Sequence, residues 1–332
     1  MWSTQAINYL FFVLEAFTIV VAIIVVVAFI IAASAKGKIS KKGRLEVNSL
    51  NQRYQQNQEI IAQKIMSKAD FKKLHKAHQA EKKAEHKSKS SHHNVFVIDF
   101  SGDIKASETS SLTEEINAIL AVANKEDEVV VRLESTGGVV NGYGLAAAQL
   151  ARIKSAGIHL VVAVDRVAAS GGYMMASIAD KIIASPFAVL GSIGVVAQLP
   201  NIHRLLSNKG VDIELHTAGK YKRTLTMFGE NTEAGREKFK SELEDVHVLF
   251  KAHINTYRPS VDIEKVATGE YWFGKMALEL NLVDDLMTSD AYLLEKYHTE
   301  QAKLYQVSYK IKKSKLAQLY HTAMKQLNQT GL

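Results

Sequence analysis

The chain predicts an α/β domain built on a largely parallel sheet, preceded by one apolar helix and a basic segment. Three observations carry this. Residues 94–164 alternate strand-length apolar runs with stretches of helical period, the pattern that strand–helix–strand units leave in a sequence. Glycine-bearing loops, Gly137-Gly138 and Gly171-Gly172, follow two of the predicted strands, and in such sheets active residues gather at the carboxyl ends of strands. The charge is uneven: residues 36–90 hold fifteen Lys and Arg against five Asp and Glu, in a chain of 332 residues whose total is +7. The basic balance therefore belongs to one segment. A nucleic-acid-binding fold would spread a basic face over the folded domain, so no nucleic-acid partner is expected. The chain has no cysteine, which removes disulfides, thiol catalysis and cysteine metal sites. No metal or cofactor is expected.

In chain order, residues 1–35 predict a membrane anchor. Residues 16–33 contain a single polar side chain, Thr18, and at a rise of ~1.5 Å per residue that run spans roughly 27 Å. No Lys or Arg precedes it and it is long for a signal-peptide core, so an uncleaved anchor with membrane lipid around it is expected. Residues 36–93 read as a basic, solvated helical stalk, with Ile60, Ile61, Ile65, Met66 and Leu74 at a loose helical period. Such a stalk serves as a spacer, or its lysines meet anionic headgroups. The folded domain is placed at residues 94–290. Strands are expected at Asn94–Phe100, Val129–Leu133 and Ile158–Val164, with helices over Leu112–Val122, Tyr143–Lys154 and Ser170–Asp180. Beyond these, a helix over Asn201–Lys209, a strand over Val211–His216, a long helix over Thr232–Tyr257 and a short strand over Leu282–Asp284 follow. Residues 291–332, rich in lysine and glutamine, read as a peripheral helical tail.

Ser170 is the centre of the candidate chemistry. It lies between an apolar strand and a small-residue helix, where unpaired N–H groups and the positive end of a helix dipole favour an oxyanion formed in acyl transfer. A serine in that place also serves widely as a plain N-cap. A serine nucleophile needs a base. His75, His78, His86, His92 and His93 fall in the stalk or at its edge, and none of the other histidines stands in a recognisable triad context. Lys222, in the loop Thr217–Arg223 between Lys220 and Arg223, is the other candidate, because neighbouring cations and burial drive a lysine towards its neutral form.

Ala169-Ser170-Gly171-Gly172-Tyr173, Leu190-Gly191-Ser192-Ile193-Gly194-Val195, the loop from Gly219 to Lys222 and the segment Gly269–Asp284 together resemble the signal peptide peptidase A family of membrane-bound serine proteases. The anchor and stalk ahead of the domain resemble its SohB branch. Thr136 departs from the proline that such loops usually carry before the glycine pair. The resemblance implies a ClpP/crotonase-type superhelix, Ser170 as nucleophile and Lys222 as general base, preferred to Lys220 on its spacing from Gly219. It also implies that Gly171, with Gly137 or Gly138, supplies the oxyanion N–H groups. The implied substrates are signal peptides and unfolded or membrane-associated polypeptides, and the implied assembly is a homo-oligomer. Relatives generally carry the protease domain on the outer face of the inner membrane, whereas Lys36, Lys38, Lys41, Lys42 and Arg44 just after the span place it in the cytoplasm by the positive-inside rule. A non-catalytic membrane scaffold with a protease-like fold is the alternative, and it makes Ser170 dispensable. An acyl-CoA enzyme of crotonase type shares the glycine turns but needs neither the serine, the lysine loop nor an anchor.

Overall fold

The computed structural model describes residues 4–35, 43–85 and 93–311. The chain divides into two units, one of residues 1–44 with 311–332 and the other Leu45–Lys310. In the first, helix α1 spans Thr4–Ala35. Its side chains are described over residues 9–24, where Leu10, Phe11, Phe12, Phe17 and Ile24 are exposed and the Thr18 hydroxyl donates to the Leu14 carbonyl at 2.8 Å. Among the described residues no helix is long and apolar enough to cross a membrane. The transmembrane span expected over residues 16–33 thus finds no support there, and side chains 25–33 lie outside the described residues.

Beyond α1 the chain forms β1 (Arg44–Ser49), α2 (Leu50–Ile65) and α3 (Lys68–Glu85), followed by β2 (Asn94–Gly102), α4 (Thr109–Leu120), β3 (Glu128–Ser135), α5 (Val140–Ser155) and β4 (His159–Val164). Then come β5 (Val167–Ala169), α6 (Gly171–Ala176), β6 (Lys181–Ala184), β7 (Val189–Gly191), α7 (His203–Ser207) and α8 (Glu233–Tyr257). The second unit closes with α9 (Ile263–Val266), β8 (Tyr271–Phe273), α10 (Gly274–Glu279), β9 (Asp285–Leu286), α11 (Ser289–His298) and β10 (Lys303–Lys310). The main sheet runs β1-β10-β2-β3-β4-β6-β9, and from β10 to β9 every neighbouring pair is parallel. Side chains alternate across a strand, so both faces of the sheet must be covered. Phe96, Ile98 and Phe100 of β2 join Leu112, Ile116, Leu150 and Tyr173 in one core. Val95 and Val97 face the other way, into a second core with Leu50, Tyr292, Leu293 and Leu304. This is the layered α/β architecture expected.

The strand β3 forks. Its start pairs with β4, and its last residue, Ser135, pairs with Ala168 of β5. β5 in turn pairs with β7, and β7 with antiparallel β8. This branch of three-residue strands brings the glycine loop after β3 beside the turn after β5.

Several expectations are corrected. The helix expected to run to Asp180 stops at Ala176, because Asp180 is drawn off by β4: its N–H donates to the Leu160 carbonyl, and its carboxylate accepts the Leu160 N–H. Val211–His216 forms no strand; Val211, Ile213 and Leu215 are exposed and have no strand to pair with. Within the segment read as a solvated stalk, β1 and α2 pack on the domain, with Leu50 buried and the Asn51 amide joined to the Ala302 carbonyl and the Leu304 N–H. Within the segment read as a helical tail, β10 is a strand of the main sheet. Residues 36–42 and 86–92 of the expected stalk and 312–332 of the expected tail lie outside the described residues.

Candidate active site

Ser170 stands alone between β5 and α6. Its N–H donates to the Gly191 carbonyl at 2.7 Å, and its side chain makes no capping bond to the helix. The N-cap role is therefore not what this serine does. Its backbone is held at φ 52°, ψ −119°, a region where a non-glycine residue costs about 1–3 kcal/mol unless its surroundings impose it. The strand ends on both sides impose it here, and the hydroxyl is left without a partner among the described residues.

The glycine loop after β3 abuts this serine. At Gly137 φ is +87°, and a Cβ there would lie 2.7 Å from Ser170 Cβ and 2.8 Å from both the Ala169 carbonyl oxygen and the Gly171 nitrogen. Only glycine fits. The loop is pinned from the other side by the Val139 N–H, which donates to the Ile104 carbonyl at 2.8 Å. A Cβ on Gly171 would overlap the Tyr143 ring, so α6 starts in contact with that ring. Gly137, Gly138, Ser170 and Gly171 are thus brought together. The Gly137 N–H is already engaged, donating to Ser135 Oγ at 3.0 Å, whereas those of Gly138 and Gly171 make no hydrogen bond among the described residues.

Thr136, Gly137, Gly138 and Ser170 open into a groove of about 520 Å³, whose far wall is Ser192, Gly194, Val195 and Val196 with Thr268 and Gly269. That wall is stitched by Ser192 N–H to the Glu270 carbonyl at 2.7 Å and Gly269 N–H to the Ile193 carbonyl at 3.1 Å. His247 of α8 completes the lining. Its Nδ1 lies 3.9 Å from Glu244 Oε1, and its Nε2 is buried without a hydrogen-bond partner. Behind the site α6 is held firmly. Tyr173, fully buried, donates to the Leu282 carbonyl at 2.7 Å, and burial pushes its phenol up, so it stays protonated. His253 donates through Nε2 to the Met174 carbonyl at 2.9 Å; burial pulls its pKa down despite that bond, keeping the imidazole neutral.

Lys222 is not brought to Ser170 within one chain. It does not line the groove; its side chain is exposed, and its N–H donates to the Gly219 carbonyl at 3.1 Å to close a turn. Lys220 lies over the Tyr221 ring at 5.1 Å. Among the described residues no group of three or more His, Cys, Asp and Glu is placed to hold a metal ion. Sequence reasoning missed Ser135, Tyr143 and His247. Ser135 directly precedes the glycine loop, a signal that was available; Tyr143 and His247 sit on helices with nothing in their neighbours to single them out.

The chain matches two family models, Peptidase family S49 N-terminal over residues 5–150 and Peptidase family S49 over residues 152–303. It is 50% identical over 319 residues to a probable protease SohB of Haemophilus influenzae, covering 92% of this chain and 90% of that one. It is 46% identical over 302 residues to a probable protease SohB of Buchnera aphidicola subsp. Schlechtendalia chinensis, covering 87% and 99%. Among solved structures, a membrane-bound stomatin-specific protease, 1510-N, in complex with a substrate peptide superimposes with a TM-score of 0.44 at 11% identity, covering 71% of this chain and 100% of that one. The two family models span the glycine loop, the serine turn and the groove wall, and with the SohB relatives they place the chain in peptidase family S49, in its SohB branch.

Proposed function

We propose that this protease is a serine endopeptidase in which Ser170 attacks the peptide carbonyl and Lys222 of a neighbouring copy is the general base. One observation carries the first half: a serine held at positive φ, with a hydroxyl that caps nothing, opens on a groove beside two glycine N–H groups that have no partner among the described residues. In the first step the Ser170 oxygen bonds to the carbonyl carbon and its proton passes to the neutral amine of Lys222. The oxyanion is met by the N–H groups of Gly138 and Gly171. Collapse breaks the C–N bond as the lysine returns the proton to the leaving amine, and water, deprotonated by the same amine, releases the acyl group. Gly137 helps by shape and not by donation, since its N–H is taken. The branch of short strands off the main sheet supports a ClpP/crotonase-type superhelix. No cofactor enters this chemistry.

We place the N-terminal segment at the inner membrane as an anchor, on the exposed apolar side chains of α1 and the internally satisfied Thr18 hydroxyl; signal peptides and unfolded or membrane-associated chains are the substrates in reach of such an anchor. Alkaline phosphatase and cytoplasm-only fluorescent reporters fused after residue 90 decide which side carries the domain, and a fusion recovered in the soluble fraction refutes the anchor. Labelling by a fluorophosphonate and hydrolysis of an unstructured protein test the nucleophile. Ser170→Ala should abolish both, with the rate falling by orders of magnitude. A Ser170→Ala protein that hydrolyses as fast as the parent leaves the scaffold reading in its place.

A further inference from the structure

Beneath the groove a chain of buried hydroxyls joins the glycine loop to α5. Ser135 and Tyr143 are 2% and 0% exposed. The Gly137 N–H donates to Ser135 Oγ at 3.0 Å, Ser135 Oγ and Tyr143 Oη lie 2.5 Å apart, and Tyr143 Oη donates to the Asp103 carbonyl at 2.8 Å. The Asp103 carbonyl also accepts the Ala106 N–H at 3.0 Å, so both its lone pairs are used. A phenol has one hydrogen, and here it goes to Asp103. The hydrogen of Ser135 then goes to Tyr143, which leaves the serine lone pairs for Gly137. Every donor finds an acceptor in one direction only, from Gly137 through Ser135 and Tyr143 to Asp103. Burial raises the Tyr143 pKa, which keeps that hydrogen in place.

Tyr143 also touches the other side of the site. Its ring meets Gly171 so closely that a Cβ would overlap it, while a Cβ on Gly172 would lie 2.7 Å from the Ser135 carbonyl oxygen. The ring thus braces the start of α6 and the hydroxyl braces the glycine loop. We infer that Ser135 and Tyr143 are positioning residues that set the separation of the Gly138 and Gly171 N–H groups. This rests on the reading of Ser170 as the nucleophile. Donors that miss a developing oxyanion by a fraction of an ångström stabilise the transition state poorly while leaving substrate binding intact.

Tyr143→Phe keeps the brace on Gly171 and removes the link to Ser135. Ser135→Ala strands the Gly137 N–H. In full-length protein, with active sites counted by fluorophosphonate labelling, each should lower kcat by about 10- to 100-fold with KM within about twofold. The double variant should be no slower than the slower single, because both cut one chain. In unmodified protein, amide exchange should show Gly137 protected and Gly138 open. If Ser170→Ala is inactive while Tyr143→Phe and Ser135→Ala keep kcat within twofold, this inference alone falls. It falls too if the loss appears in KM, if the two losses multiply, or if the Gly137 amide exchanges as fast as that of Gly138, a measurement that holds even where a variant does not fold. An active Ser170→Ala removes the underlying reading and this inference with it.

Discussion

At the scale of the residue, the site is a problem of space before it is one of chemistry. Gly137 is admitted to within van der Waals limits of Ser170 because it has no side chain, and its φ of +87° is one that L side chains adopt rarely. Gly137→Ala should therefore destabilise the protein by about 1–3 kcal/mol and reduce the rate at least about 100-fold, since the new Cβ displaces the serine whose position the reaction needs. Gly144, half-buried on α5, is the matched control: a Cβ there meets nothing within 4 Å. Gly144→Ala should stabilise by ~0.5–1 kcal/mol and leave the rate unchanged. Urea-unfolding midpoints and initial rates on both proteins check this, and a Gly137→Ala protein with normal rate contradicts it. The loop glycines and the serine were legible in the sequence because they follow predicted strands and recur with further glycine turns in one ordered set, although each turn alone is a weak signal. The hydroxyl chain beneath them was not. Ser135 at the end of β3 and Tyr143 in the first turn of α5 meet by their hydroxyls across the glycine loop, and Asp103 joins by a backbone carbonyl, which carries no residue signature at all.

At the scale of the element, long apolar runs announced β2, β3 and β4, whereas β5, β7 and β8 are three residues each, too short to show a period. The segment after the anchor misled for a different reason. Ile60, Ile61, Ile65 and Met66 supplied its helical period, yet they are exposed, and α2 buries Leu50, Gln55 and Ala62 instead. The apolar signal thus marked the wrong face. β10 was hidden by its lysines and glutamine, since Leu304 and Val307 are its only fully buried side chains. What holds the end of β10 makes a prediction about pH. Glu115 of α4 is buried and accepts the Tyr309 N–H at 2.6 Å. Burial foremost, with Glu108 and Asp99 nearby, pushes its carboxyl up to about 7 against that bond. Below pH 4.5, the ordinary value, both folded and unfolded chains hold the proton and the contribution to stability is complete. Between there and about 7 the unfolded chain gives up its proton while the folded one keeps it, so stability falls as pH rises, and it levels off above about 7. The fall is on the order of 3 kcal/mol. Glu115→Gln, neutral throughout and still able to accept from Tyr309, should gain that amount over the parent at pH 8 and nothing at pH 4. Parallel unfolding free energies for the two proteins at both pH values read the difference directly, and a gap that does not change with pH refutes the assignment.

At the scale of the whole molecule, the proposed nucleophile and its proposed base do not meet in a single chain. The stretch from Val211 to Phe228 that carries Lys222 supports the proposal that a second copy brings them together. Val211, Ile213, Leu215, Tyr221, Met227 and Phe228 are all exposed. The first three alternate as a strand does, yet no strand pairs with them. Exposed apolar surface and an unpaired strand-like segment are features that a neighbouring chain covers when it packs on them. Covering the segment against a neighbour would also strip water from the Lys222 ammonium, which the transfer of a proton from Ser170 requires. The prediction concerns mixing. Ser170→Ala and Lys222→Ala proteins are each expected to be inactive, but each carries the half that the other lacks. If a site takes its serine from one copy and its lysine from the next, equal parts of the two, allowed to exchange, should recover about a quarter of the parent rate, because one boundary in four then pairs an intact serine with an intact lysine. The parent's specific activity should also fall on dilution through the range where sedimentation shows the assembly coming apart. No recovery on mixing, at concentrations where the mixed assembly forms, means that the lysine acts within its own chain or not at all; a Lys222→Ala protein of undiminished rate removes it from the reaction.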